Sequence, residues 1–160
     1  MCDADALLQV VIAEARALGI PVSGGILPRV LINTRAKTRF GRCIVSMDGS
    51  CRIELAARVI AAGEDACKTV LAHEILHSCK GCRNHQARWQ AYAGRMRAAY
   101  GYDIRRTHSP EALGVLNDTP CRYRLRCQRC GALLERMKKS PLVRHPERYR
   151  CRCGGALMLL

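Results

Sequence analysis

His73-Glu74-Ile75-Leu76-His77 constrains this chain more than any other stretch, because the five residues make chemical sense together only on a helix. Positions four apart on a helix lie one turn apart on the same face, so the imidazoles of His73 and His77 can converge on one metal ion. Glu74, directly after the first histidine, is placed to reach a water on that metal as a general base. The plainer reading, two histidines and a glutamate sharing an amphipathic helix by accident, explains neither the order nor the spacing of three polar residues within an apolar run.

The surrounding text supplies the helix and a sheet to set it on. Residues 4–18 carry Leu7, Leu8, Val11, Ala15 and Leu18 at helical spacing, with Asp3 as the N-cap and Gly19 as the stop. Residues 29–32, 39–47 and 50–55 are short and rich in Val, Ile and Cys, and Asp48-Gly49 marks a hairpin between the last two. They predict a small antiparallel sheet. A short helix over 56–62 and a longer one over 65–78 follow, the second with Cys67, Val70, Leu71, Ile75 and Ser78 inward and Glu64 and Asp65 at its positive end. A further helix over 85–100 places Trp89, Tyr92, Met96 and Tyr100 at spacings that read as core. Two prolines, a glycine and Asn117-Asp118 make residues 107–120 read as a linker.

Two histidines do not hold a catalytic zinc, which takes three protein ligands and leaves a fourth position open. His85, eight residues after His77 and beyond a break at Gly81, is the favoured third ligand, with Cys79 and Cys82 in competition. Three neutral imidazoles leave the metal its full positive charge and acidify its water toward a pKa of about 7. Lys80 and Arg83 stand where metzincins need a glycine and a third histidine, which excludes that pattern.

The stretch resembles the SprT-like family, which joins this motif to a later histidine followed four residues on by an aromatic, as in His85-Gln86-Ala87-Arg88-Trp89. Upstream, Arg39-Phe40-Gly41-Arg42-Cys43 and Arg52-Ile53-Glu54-Leu55 match the family's basic strand and its Ile-x-Leu strand. The resemblance runs from about residue 5 to the C-terminus, since many members end in a zinc ribbon. It implies a zincin-like minimal metallopeptidase in which His73, His77 and His85 bind zinc and Glu74 is the catalytic base. Glu74 would take a proton from the water attacking a zinc-polarised peptide carbonyl and return it to the leaving amine. Several members act on proteins crosslinked to DNA, and the resemblance extends that expectation here.

Cys127-Gln128-Arg129-Cys130-Gly131 and Cys151-Arg152-Cys153-Gly154-Gly155 form two knuckles with too little apolar sequence between them to fold without metal. They predict a ribbon holding one structural zinc through Cys127, Cys130, Cys151 and Cys153. The second knuckle is one residue short of the usual spacing, so Cys151 is its weakest ligand and Cys121 or His145 is the substitute. The same segment concentrates the charge: of a net +14, residues 121–160 hold eleven Arg or Lys against Glu135 and Glu147, or +9, leaving +5 for the rest. Such a stretch suits a polyanion, nucleic acid before membrane, bound through phosphates without sequence preference and weakened by salt. Tyr123 and Tyr149 lie in it as candidate stacking residues.

Eleven cysteines with Asp3 and Asp5 at the N-terminus, where a secretory signal would be basic, predict reduced thiols and metal ligation in a cytoplasmic protein of bacterial type, near the nucleoid if it binds DNA. No run is long and apolar enough to span a membrane. The expectation is an α+β metallopeptidase domain over 1–106, a linker over 107–120 and a zinc ribbon over 121–160, with one catalytic and one structural zinc. A zinc protein that binds nucleic acid without catalysis is the alternative. Oligomeric state is not legible in the sequence.

Overall fold

A computed structural model describes residues 2–116 and 121–160 and divides the chain into two units, residues 1–116 and 117–160. In the first unit, helix α1 (Ala4–Ala17) begins where the Asp3 carboxylate accepts a hydrogen bond from the Ala6 N–H at 3.0 Å. Its apolar stripe of Leu7, Leu8, Val11, Ile12 and Ala15 is buried. Three strands follow: β1 (Leu31–Asn33), β2 (Gly41–Val45) and β3 (Cys51–Ala56). The hairpin between β2 and β3 closes over Asp48, whose carboxylate accepts from the N–H and hydroxyl of Ser50, while Gly49 takes a positive φ of 82°.

The sheet corrects the expectation of an antiparallel one. β2 pairs antiparallel with β3, but β1 pairs parallel with it, Leu31 opposite Glu54 and Asn33 opposite Ala56. The order is β1-β3-β2, because residues 34–40 carry the chain past β3 before it turns back. Hydrophobic alternation specifies which face a strand buries, not which neighbour it takes or in which direction. The consequence for function is that β2 lies at a sheet edge.

Helices α2 (Ala57–Ala62), α3 (Glu64–Leu76) and α4 (Ala87–Tyr100) complete the first unit. α3 is packed by α1, α2, α4 and the sheet, and nine of its thirteen residues are buried, among them Val70, Leu71, Glu74 and Ile75. Core on nearly every side holds its register firmly. α4 buries Trp89, Ala93 and Met96 against the same core, while Tyr100 stays exposed. Part of the expected linker is also packed here. A 3-10 turn over Glu111–Leu113 sets Leu113 and Val115 into the first core, and residues 117–120 lie outside the described residues. The burial of Leu113 and Val115 depends on distant partners, which loop-like composition conceals.

The second unit is a small antiparallel sheet of β4 (Tyr123–Cys127), β5 (Leu133–Arg136) and β6 (Leu157–Leu159) in the order β5-β4-β6, with the four-residue helix α5 (Pro141–Arg144). Its buried core is Leu125, Cys127, Val143 and Leu157. Among the described residues, no helix is long and apolar enough to cross a membrane.

Candidate metal centres

α3 carries His73 and Glu74 in its last turn and ends at Leu76, so His77 forms its C-cap in near-helical geometry. The Ser78 hydroxyl donates to the Ile75 carbonyl at 2.6 Å, and the Cys82 N–H donates to the Cys79 carbonyl at 3.0 Å. This compact turn, with Gly81 at a φ of 80°, reverses the chain and returns His85 to the end of α3. His85 sits in the loop just before α4, two residues ahead of its first turn.

The three Nε2 atoms meet. His73 and His77 are 3.2 Å apart, His77 and His85 3.1 Å, and His85 and His73 3.0 Å. Backbone carbonyls set two of the tautomers: His73 Nδ1–H donates to the Arg105 carbonyl at 3.0 Å and His77 Nδ1–H to the Cys82 carbonyl at 2.7 Å. A carbonyl only accepts, so the protons lie on Nδ1 and both Nε2 atoms turn bare lone pairs on one another. Two acceptors at that distance repel unless a cation lies between them. Ligand nitrogens about 2.0–2.1 Å from a tetrahedral zinc stand roughly 3.3 Å apart, close to the observed separations. The three imidazoles therefore fit a metal ion, and the carbonyls behind them orient the ligands as supporting partners do in metal sites.

The electrostatics agree. Burial, reinforced by His77 and His85, lowers the His73 pKa to about 3, and burial also lowers those of His77 and His85. Neutral imidazole is the form that binds metal. Trp89, 1% exposed, lies under all three rings, with centroid distances of 4.5 Å to His85, 4.8 Å to His73 and 5.7 Å to His77. It is core, as its spacing suggests, and also the apolar floor of the site. Cys79 and Cys82, the rival ligands, are buried away from the cluster, where burial raises both pKa values, that of Cys79 to about 12.

Glu74 is 8% exposed, and burial raises its pKa to about 7 against the opposing Cys43 backbone hydrogen bond. It has no ion-pair partner among the described residues. A Cβ on Gly41 would come within 2.7 Å of Val70 Cγ1 and 2.9 Å of Glu74 Oε1, so only glycine lets β2 lie this close to α3. Between edge strand and helix opens a cleft of two lobes that meet at Gly41, His73 and Glu74. The larger, about 510 Å³, is also lined by Arg42, Cys43, Val45, His77 and Arg83. The smaller, about 250 Å³, extends to Phe40, Arg106 and His108. The carbonyls of Cys82 and Arg105 and the role of Gly41 have no signature in the sequence, since a carbonyl is common to every residue. His108 had one signal, a polar residue inside an apparent linker, 6.3 Å from the His73 ring centroid.

In the second unit, the sulfurs of Cys127, Cys130, Cys151 and Cys153 all lie within 4.8 Å of one another. Cys127 and Cys153 are 3.5 Å apart and Cys130 and Cys151 3.6 Å, far too long for disulfides and near the roughly 3.8 Å of four thiolates around a tetrahedral zinc. The Cys130 N–H donates to Cys127 Sγ and, with the Arg129 N–H, pulls the Cys127 thiol down to about 6. At Cys153 the Gly155 N–H acts the same way, but the crowding sulfurs of Cys130 and Cys127 outweigh it and push the thiol up to about 12. A dication relieves that mutual repulsion. The short second knuckle works because of its glycines. Gly154, at a φ of 82°, closes a turn onto the Cys151 carbonyl, and Gly155 packs where a Cβ would strike Cys127 Sγ at 2.6 Å. The alternatives point elsewhere: Cys121 Sγ donates to the Tyr123 carbonyl, and the His145 ring lies against Glu147.

No curated protein and no solved structure matches the chain. A family model does: that of the SprT-like family covers residues 22–108, the whole of the cleft and all three histidines. With more than half of its length matched, the chain belongs to the SprT-like family.

Proposed function

We propose that the protein is a zinc-dependent metalloendopeptidase in which His73, His77 and His85 hold the catalytic metal and Glu74 is the general base. The observation that carries this reading is the meeting of three imidazole Nε2 atoms within 3.2 Å, with a buried carboxyl that has no ion-pair partner among the described residues lining the same cleft. Zinc held there by His73, His77 and His85 would supply Lewis acidity, acidifying water and polarising a peptide carbonyl. Glu74 takes the proton from the attacking water and hands it to the departing amine. An extended peptide in the cleft would run along the free edge of β2, adding backbone hydrogen bonds to the sheet. The competing reading, a zinc protein that only binds nucleic acid, leaves the burial of Glu74 without a purpose.

The same proposal gives the second unit a structural zinc, on Cys127, Cys130, Cys151 and Cys153, and a DNA contact through its +9 charge, so that the substrates are proteins bound or crosslinked to DNA. Phosphate binding of that kind falls steeply with salt. The test is cleavage of an unstructured protein with and without DNA by the wild type and by Glu74→Gln, with zinc content measured in both. A loss of about 10²–10⁴-fold at unchanged zinc is expected for the variant. Undiminished cleavage would remove Glu74 from the reaction, and cleavage indifferent to DNA would leave a general peptidase.

A further inference from the structure

Three arginines from separate segments line the cleft, and one of them, Arg42, faces the Glu54 carboxylate opposite it across the sheet. Arg42 on β2 and Arg83 in the turn after α3 line the larger lobe, and Arg106 lines the smaller. Their neighbour Arg39 is already held by Glu54 at 2.8 Å, whereas no ion pair among the described residues engages the other three. Among the described residues, Glu74 is the one carboxylate lining either lobe, and it is buried. Another cavity of the same unit, about 460 Å³, is lined by Glu14, Asp65 and Asp103 beside Lys68, so positive walls are not general to its surface. Apolar walls focus the field of charges at a cleft mouth.

We infer that the cleft selects acidic peptide segments, with carboxylate side chains on one flank of the scissile bond meeting Arg42 and Arg83 and on the other flank meeting Arg106. The selectivity rests on the peptidase reading for its reaction but not for its binding. A guanidinium presents a planar fork that matches a carboxylate, and each flank of an extended peptide passes one lobe. A peptide is favoured over a nucleic-acid strand as occupant because the lobes join at the imidazoles and Glu74, where a scissile amide belongs. The second unit carries its own basic charge for phosphates.

The experiment uses the zinc-loaded full chain and three peptides alike except for Glu, Gln or Lys at the positions flanking the cleaved bond. Two exposed ion pairs at about threefold each make the Glu peptide roughly tenfold better than the Gln peptide in kcat/KM at low salt, with the Lys peptide poorest. The double variant Arg42→Glu, Arg83→Glu reverses the order of the Glu and Lys peptides, and high salt flattens it. Equal kcat/KM for all three peptides, or an order that survives the charge reversal, overturns the inference while leaving the peptidase intact. Binding of the same peptides to Glu74→Gln, followed by fluorescence anisotropy, separates the two claims. Charge-ordered binding without cleavage by the wild type upholds the selectivity and removes the peptidase; neither binding nor cleavage removes both. Should a short DNA strand displace the Glu peptide and lose affinity in the double variant to the same degree, the arginines serve nucleic acid and the inference falls.

Discussion

The two candidate metal centres stand in opposite relations to the structures around them. The histidine site is built on α3, whose register is held by a core that includes Leu8, Val11, Ile53, Leu55, Leu71, Ile75 and Met96, all of them buried apolar side chains. The cysteine site sits in a unit whose buried core, among the described residues, is four side chains, one of them a cysteine of the site itself. In the first unit the fold holds the three candidate ligands in place, so a metal bound as proposed would keep a position open for chemistry. In the second, zinc bound as proposed would hold the fold through four cysteines and leave no position open to react.

That contrast can be broken most directly through the ligands. Cys127→Ser should unfold the second unit, since zinc binding in small thiolate modules supplies about 10–16 kcal/mol of folding free energy. Limited proteolysis would then cut within residues 121–160. His77→Ala should abolish metal binding at the first site yet shift the thermal midpoint of the first unit by only a few degrees. A first unit that melts on losing His77, or a second that survives losing Cys127, would erase the difference. Cys121→Ser, directed at carbonyls and not at the cluster, should leave two zinc ions per chain by elemental analysis.

Gly41 sharpens the same contrast within the first unit. Gly41→Ala would force β2 and Glu74 apart, costing about 1–3 kcal/mol of stability and about tenfold to a hundredfold in peptidase kcat/KM with zinc retained. Full activity would mean that the close approach does not position Glu74.

The smallest effect is a pH dependence in chelated protein. The pKa of Glu74 is raised from 4.5 to about 7, so the folded state holds its proton longer and loses stability as pH rises through that window. His73, lowered from 6.5 to about 3, acts oppositely, costing stability as pH falls below 6.5. Glu74→Gln removes only the first effect. Its melting temperature relative to the wild type should therefore climb between about pH 4.5 and 7, and a constant difference would show that Glu74 is not strained by burial.

Much of the architecture was legible because local chemistry dictates it. Asp3 caps α1, Asp48-Gly49 turns the hairpin, and apolar spacing marks α3 and α4, each through residues a few positions apart. Direction and neighbourhood were not legible. The parallel pairing of β1, the seating of Leu113 and Val115 in the first core, and the start of α4 two residues later than its spacing suggests all depend on partners far along the chain.

The site divides in the same way. By itself the sequence determined that His73, Glu74 and His77 share one end of a helix and that two pairs of cysteines recur, because helical geometry and short knuckles are set by spacing alone. Only the tertiary structure decided that His85 folds back to complete a triangle of nitrogens, that the carbonyls of Arg105 and Cys82 aim them, and that Cys151 takes its place beside Cys130. A ligand set closes in three dimensions, and packing selects which of several candidate residues reaches it.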